Sequence, residues 1–173
     1  RSKYAIGSIS INEAFNPLLG FDMTWNNNIT TRLNYRSSRN LVMSFYNNQL
    51  TETRSQEWTV GLGYRITDLN LKLVNTATGK AKDTKNDLKL QCDVSMRDDK
   101  TLLRKLVEET ITPNAGKNVF TIKLAADYML GPAFTLRIFY DRILTNPFVS
   151  NAFKTTNSNF GFSVRFTLVQ QQQ

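Results

Sequence analysis

No histidine occurs in the 173 residues. That absence removes the usual general base, the commonest metal ligand and every His-containing triad at once. Cysteine occurs once, at Cys92, so no internal disulfide can form. It lies on the apolar parity of its segment, where an inert packed thiol is expected. Long hydrophobic runs are missing as well. No stretch approaches the roughly 18 apolar residues of a membrane-spanning helix, and mean hydropathy is −0.36. Helical membrane proteins are thereby excluded, but transmembrane barrels are not, because their strands are polar at every second position. The opening RSKYAIGSISI shows no n-region, h-region or small-residue cleavage site. It begins in a strand-like pattern, as if cut out of something longer.

What is present is basic: 22 Lys and Arg against 14 Asp and Glu, a net charge of +8. Such a balance suits nucleic acid, an acidic surface or a basic channel. The cations are spread one or two per segment rather than clustered, and no nucleic-acid motif occurs, so no nucleic-acid partner is expected. Carboxylate pairs at Glu108–Glu109 and Asp98–Asp99 have solvated roles as their default. Gly61 and Gly63 in VGLGY resemble half a phosphate-binding loop without the following helix. On a strand, such glycines make room for large neighbours. With no metal-ligand spacing either, neither an enzyme nor a cofactor is expected.

Alternation with period two runs almost throughout. Leu19, Phe21, Met23 and Trp25 alternate with Gly20, Asp22 and Thr24. Trp58, Val60, Leu62, Tyr64 and Ile66 alternate with Glu57, Thr59, Gly61, Gly63 and Arg65. LNLKL, DLKLQCDVSMR, FTIKLAADY, FTLRIFYD and NFGFSVRFTL repeat the scheme. TLLRKLVEE (101–109) also fits an amphipathic helix and is taken as a strand because its neighbours are strands. The count is about eleven antiparallel strands, an all-β up-and-down barrel segment over residues 1–168 with a polar tail at 169–173.

SSRN (37–40), TD (67–68), DDK (98–100) and LGP (130–132) read as short turns. NNQLTETRSQ, NTATGKAKDTK, TPNAGKN and 146–158 read as longer polar loops. With NNN (26–28) as one short exception on the long side, short turns at one end and long loops at the other form the outer-membrane pattern. Strand direction then places Trp25, Trp58, Tyr140 and Phe160 at an upper aromatic rim and Tyr35, Tyr64 and Tyr128 at a lower one. The polar parity, expected to face a lumen, carries Arg32, Arg36, Glu57, Arg65, Asp93, Arg97, Lys123, Asp127, Arg137, Asp141 and Arg165. The apolar parity, expected to face lipid and lipopolysaccharide, carries Phe21, Met23, Leu62, Leu71, Leu90, Val94, Ile122, Leu124, Leu136, Ile138, Phe162, Val164 and Phe166. On these residues alone a soluble sandwich with a solvated outer face stays open, as does an ordinary uptake or diffusion barrel.

FNPLLGFDMTWNNNITTRLNYRSSRNLVMSFYNNQLTE followed by VGLGYRI resembles the C-terminal region of the SprA/Sov family. That family is the outer-membrane translocon of the type IX secretion system. The similarity resumes in MRDDKTLLRKL, in FTIKLAADYML with FTLRIFYDR, and in TNPFVSNAF leading to NFGFSVRFTL. The resemblance implies a giant barrel, of the class reaching about 36 strands, of which this chain supplies the final ones. It further implies export of folded cargo bearing C-terminal sorting domains, a PorV-type barrel partner over a lateral opening, a periplasmic plug protein, and a role in gliding motility where that occurs. The remainder of the same barrel would be the nearest partner.

Overall fold

A computed structural model describes residues 6–74, 81–129, 134–148 and 152–167; for 70–74 and 81–85 it describes the backbone alone. Seven strands follow one another: β1 (Ser8–Thr24), β2 (Ile29–Ser44), β3 (Gln49–Val74), β4 (Ala81–Lys105), β5 (Thr110–Met129), β6 (Phe134–Pro147) and β7 (Thr155–Phe166). All lie in a single sheet in sequential order, each antiparallel to its neighbours. The sheet does not close on itself, and β1 and β7 form its edges.

The strand count corrects the expected figure of about eleven. SSRN, TD and DDK are not turns: they lie inside β2, β3 and β4. TETRSQ and PNAGKN, expected in loops, are paired residues of β3 and β5. TLLRK completes β4 as strand. The physical reason is that a ladder is made by backbone groups, so polar side chains on both faces do not interrupt it. Strand β3 is 26 residues long, about 85 Å at the usual rise per residue. The connections 25–28, 45–48 and 106–109 span four residues each and occupy both ends of the sheet, so these turns are not segregated by length. AKDTK (81–85), expected in a loop, begins β4, while LGP, NTATGK (75–80) and the tail 169–173 lie outside the described residues.

Three irregularities keep the faces consistent. At TD the alternation changes parity, which reads as a reversal of the chain. It is a β-bulge: Ile66 pairs with Leu88 and Leu69 with Asn86, so β3 carries one residue more than β4, and Asp68 sits at φ 59°. The extra residue returns Leu69 to the face of Ile66. A second shift lies between Phe15 and Leu19 around Pro17, with a cis Asn16–Pro17 bond, and a third opposite Thr101–Leu102 near Pro113. Both prolines therefore fall where the ladder is already broken and no donor is required.

Each four-residue turn ends on a left-handed residue: Asn28 (φ 62°), Asn48 (φ 50°) and Glu109 (φ 51°). Asparagine tolerates that region; glutamate does so at a cost. Replacing Glu109 by Gly is therefore expected to stabilise the sheet by about 0.5–1 kcal/mol. Urea midpoints of the full-length protein measure this, and Glu109→Lys, which leaves the backbone cost in place, should not shift them comparably.

Candidate functional site

Because side chains alternate strictly along each strand, the cross-strand register sorts every residue onto one of two faces. One row on the first face reads Asp22, Arg32, Gly61, Asp93, Lys123, Asp141 and Asn159. Arg36, Glu57 and Arg97 form another, and Arg65, Lys89, Asp127 and Arg137 a third. Arg165, opposite Thr135, has the same parity. All the charged residues singled out from the sequence therefore share one face.

Four of the arginines there are paired across strands, and Arg97 is paired along its own strand. Arg32 Nε donates to Asp22 Oδ1 at 2.9 Å, Arg65 Nε to Asp87 Oδ2 at 3.1 Å, and Arg97 Nε lies 3.2 Å from Asp99. Arg137 lies 3.6 Å from Asp127 and Arg36 3.8 Å from Glu57. The glycines are cut to fit large neighbours, as their spacing suggested. A Cβ on Gly61 would stand 2.5 Å from Asp93 Oδ1, and one on Gly161 2.6 Å from the Phe139 ring. Phe139 is an aromatic on the charged face, opposite Ala125 and Gly161; its odd position inside an apolar run concealed it.

The other face is apolar. Phe21, Leu33, Val60, Val94 and Ile122 form one row, which ends on Arg142 and Ser158; Met23, Thr31, Leu62, Cys92, Leu124, Tyr140 and Phe160 form the next. Leu90, Leu136, Ile138, Phe162, Val164 and Phe166 have the same parity. Leu71 pairs with Thr84, and its side chain lies outside the described residues. Among the described residues nothing covers this face: Leu62 is 50% exposed and Phe162 73%, and Val119 is the one buried hydrophobic. Cys92 is half-buried and free. With Ala126 it floors a trough of about 700 Å³ bounded by Leu62, Tyr64, Leu90, Leu124 and Tyr140.

The expected aromatic rims are rearranged. Tyr35 and Trp58 are not at opposite ends but directly paired, their rings stacked with centroids 4.4 Å apart. Trp25 closes the turn at the level of Ile29, which pairs with Tyr64, so these two also share an end. Tyr140 and Phe160 face each other. Strand direction inferred from false turns had inverted three of these seven heights, those of Trp58, Tyr64 and Tyr128.

The corrected register shows that the apolar band crosses the strands obliquely. Its one edge passes through Tyr35 on β2, whose row runs through Trp58, Met96, Phe120 and Leu144 to Thr156 on β7. On β7 the apolar residues begin only four positions further on, at Phe160. The opposite edge starts at Ile29, whose row ends at Phe162, and the apolar run continues four positions to Phe166. The first edge thus shifts by about 13 Å along the strands over about 24 Å of sheet width, an inclination of about 30°; at the other end β2 begins at Ile29, and on β3 the apolar face continues through Ile66 to Leu69.

A second cluster lies on the apolar parity but beyond the band, and no motif announced it. Glu52, 1% exposed, accepts from Arg39 Nε at 2.9 Å and from Arg54 and Arg104 at 2.7 Å each. Burial pushes its carboxyl up, but the hydrogen bonds and charges of Arg54 and Arg39 outweigh this and hold it below its ordinary value. No protein-family model matches the chain, and comparison with curated proteins finds no relative.

Two outcomes follow from this geometry. Gly161→Ala is expected to destabilise by about 1–3 kcal/mol through collision with the Phe139 ring. Most of that loss should vanish in a Phe139→Leu background, measured as a double-mutant cycle. The depressed Glu52 carboxyl contributes stability above its ordinary value of 4.5, and that contribution is lost as pH falls through the lower folded value. The stability gap between wild type and Glu52→Gln should therefore hold from neutral pH to about that point and narrow below it.

Proposed function

We propose that this chain is part of the wall of a large outer-membrane β-barrel that passes folded proteins, as its resemblance to the SprA/Sov family implies. The oblique apolar band carries the reading. A soluble sheet packed on a second layer has no need for an apolar stripe inclined to its strands. In a barrel the strands tilt by about 35–45° and the lipid-facing band stays level, so the band must cross them obliquely. Along β3 the stretch from Trp58 to Ile66, before the bulge, spans about 27 Å at the usual rise, comparable with the roughly 25 Å height of such bands, and Leu69 continues the same face beyond it. Tyr35, Trp58 and Phe120 then border one headgroup region and Trp25, Tyr64 and Tyr128 the other.

On this reading the apolar face meets acyl chains and the charged face lines water. A ladder closed through further strands of the same barrel satisfies every backbone group inside the bilayer. The lumenal wall suits passage rather than capture: its charges are compensated across strands, and Ser, Thr, Asn and Gly separate them, leaving little apolar surface to hold a folded cargo. Cargo with C-terminal sorting domains, a barrel partner and a periplasmic plug are the partners the resemblance supplies.

In a Cys92→Ala background of the full-length protein, single cysteines at Arg32, Arg65 and Arg137 should react with a membrane-impermeant maleimide. Cysteines at Phe21, Leu62 and Phe162 should be protected in the membrane and react after solubilisation. Equal reactivity of the two sets, or recovery of the protein in aqueous buffer without detergent, would refute the barrel. Depletion should trap sorting-domain cargo in the periplasm; normal export with loss of a small solute's uptake would instead identify a nutrient barrel.

A further inference from the structure

We infer that Arg39, Arg54 and Arg104, gathered on Glu52, form a binding site for the phosphates of lipopolysaccharide. The inference rests on the barrel reading and adds a ligand to its outer surface. Register places the four residues on the same face as the apolar band: Arg54 and Glu52 share parity with Trp58, Arg39 with Tyr35, and Arg104 pairs with Leu50. The Arg39–Arg54 row lies four residues past the stacked Tyr35–Trp58 pair, about 13 Å along the strands, where headgroup phosphates would lie above acyl chains held on the band.

The cluster is built rather than accidental. Glu52 is buried in the ladder between Leu41 and Leu102, and its two oxygens draw together cations from three different strands. One carboxylate cannot neutralise three guanidiniums. Glu13, 4.0 Å from Arg39, adds one further negative charge, so a positive excess remains. Each guanidinium has five N–H donors, and Arg104 Nε–H is buried without any acceptor. Lys100 stands in the same row, bound to Asp98 at 2.7 Å and lying 5.4 Å over the Phe148 ring. Planar, exposed guanidiniums with unspent donors fit the tetrahedral oxygens of a phosphate monoester, which arginine binds in bidentate fashion. Among the described residues, no carboxylate of the charged face gathers three cations: Arg97 Nε is likewise buried there without an acceptor, but Arg32, Arg36, Arg65 and Arg137 are each set against one carboxylate on a neighbouring strand.

The test uses the full-length protein in nanodiscs containing either lipid A with two phosphates or the same lipid stripped of both, with bound lipid counted by native mass spectrometry. Wild type should retain the phosphorylated lipid about tenfold better, the scale of one charge-assisted contact. The variant Arg39→Gln/Arg54→Gln/Arg104→Gln should lose that preference, and Arg32→Gln/Arg36→Gln/Arg97→Gln on the charged face should keep it. If the cluster triple fails to assemble, Arg54→Gln alone should show a partial loss. An undiminished preference in the cluster variants overturns the inference. So does inorganic phosphate displacing the lipid at equal phosphate concentration, which would mark a free-anion site. Retention of a protein partner in place of the lipid, lost in the same variants, also overturns it. Fractionation separates the two levels: a protein recovered in aqueous buffer overturns the barrel and this site together, whereas a membrane-embedded protein without phosphate preference overturns the site alone.

Discussion

Everything in this molecule depends on one antiparallel ladder, interrupted at three bulges, that among the described residues has a second layer on neither side. The backbone groups of seven consecutive strands are satisfied by their neighbours, and the pleat then forces side chains to opposite faces. A globular domain would bury one of those faces against another element. Here the described residues supply no such element, and a single hydrophobic side chain, Val119, is buried. Large apolar residues from Phe21 to Phe166 therefore need an apolar surrounding that comes from outside the sheet. That requirement, more than any motif, directs the functional reading toward lipid.

The charged face obeys a different economy. Four of its arginines are opposed by carboxylates on adjacent strands, such as Arg32 with Asp22 and Arg65 with Asp87, and exposed pairs of this kind contribute little to stability. On the proposed reading, their value is to keep a wall hydrated and electrically mixed. Gly61 and Gly161 belong to the same design, because each yields its side-chain volume to a neighbour, Asp93 and Phe139 respectively. The Glu52 cluster breaks the pattern by placing three cations on one buried anion, on the opposite face and outside the apolar band.

The two faces were legible in the sequence because parity is a local property. Any run such as EWTVGLGYRI states which residues stand together, and Arg32, Asp93, Arg137 and Phe162 all fell where alternation put them. The strand boundaries were not legible. Polar stretches such as SSRN and DDK resemble turns, yet they continue the ladder on backbone hydrogen bonds alone. At TD, a one-residue bulge imitates a chain reversal, because both change the parity of the apolar residues.

The sequence by itself thus determined the composition of each face, the absence of disulfide and histidine chemistry, and the antiparallel meander, since all of these follow from side chains two residues apart or from simple counting. Only the tertiary structure decided heights. It set Tyr35 against Trp58, inclined the apolar band by about 30° to the strand rows, and brought Arg39, Arg54 and Arg104 from three strands onto Glu52. Those facts depend on register, which is fixed by turns and bulges many residues away, and no local pattern of hydrophobicity encodes it.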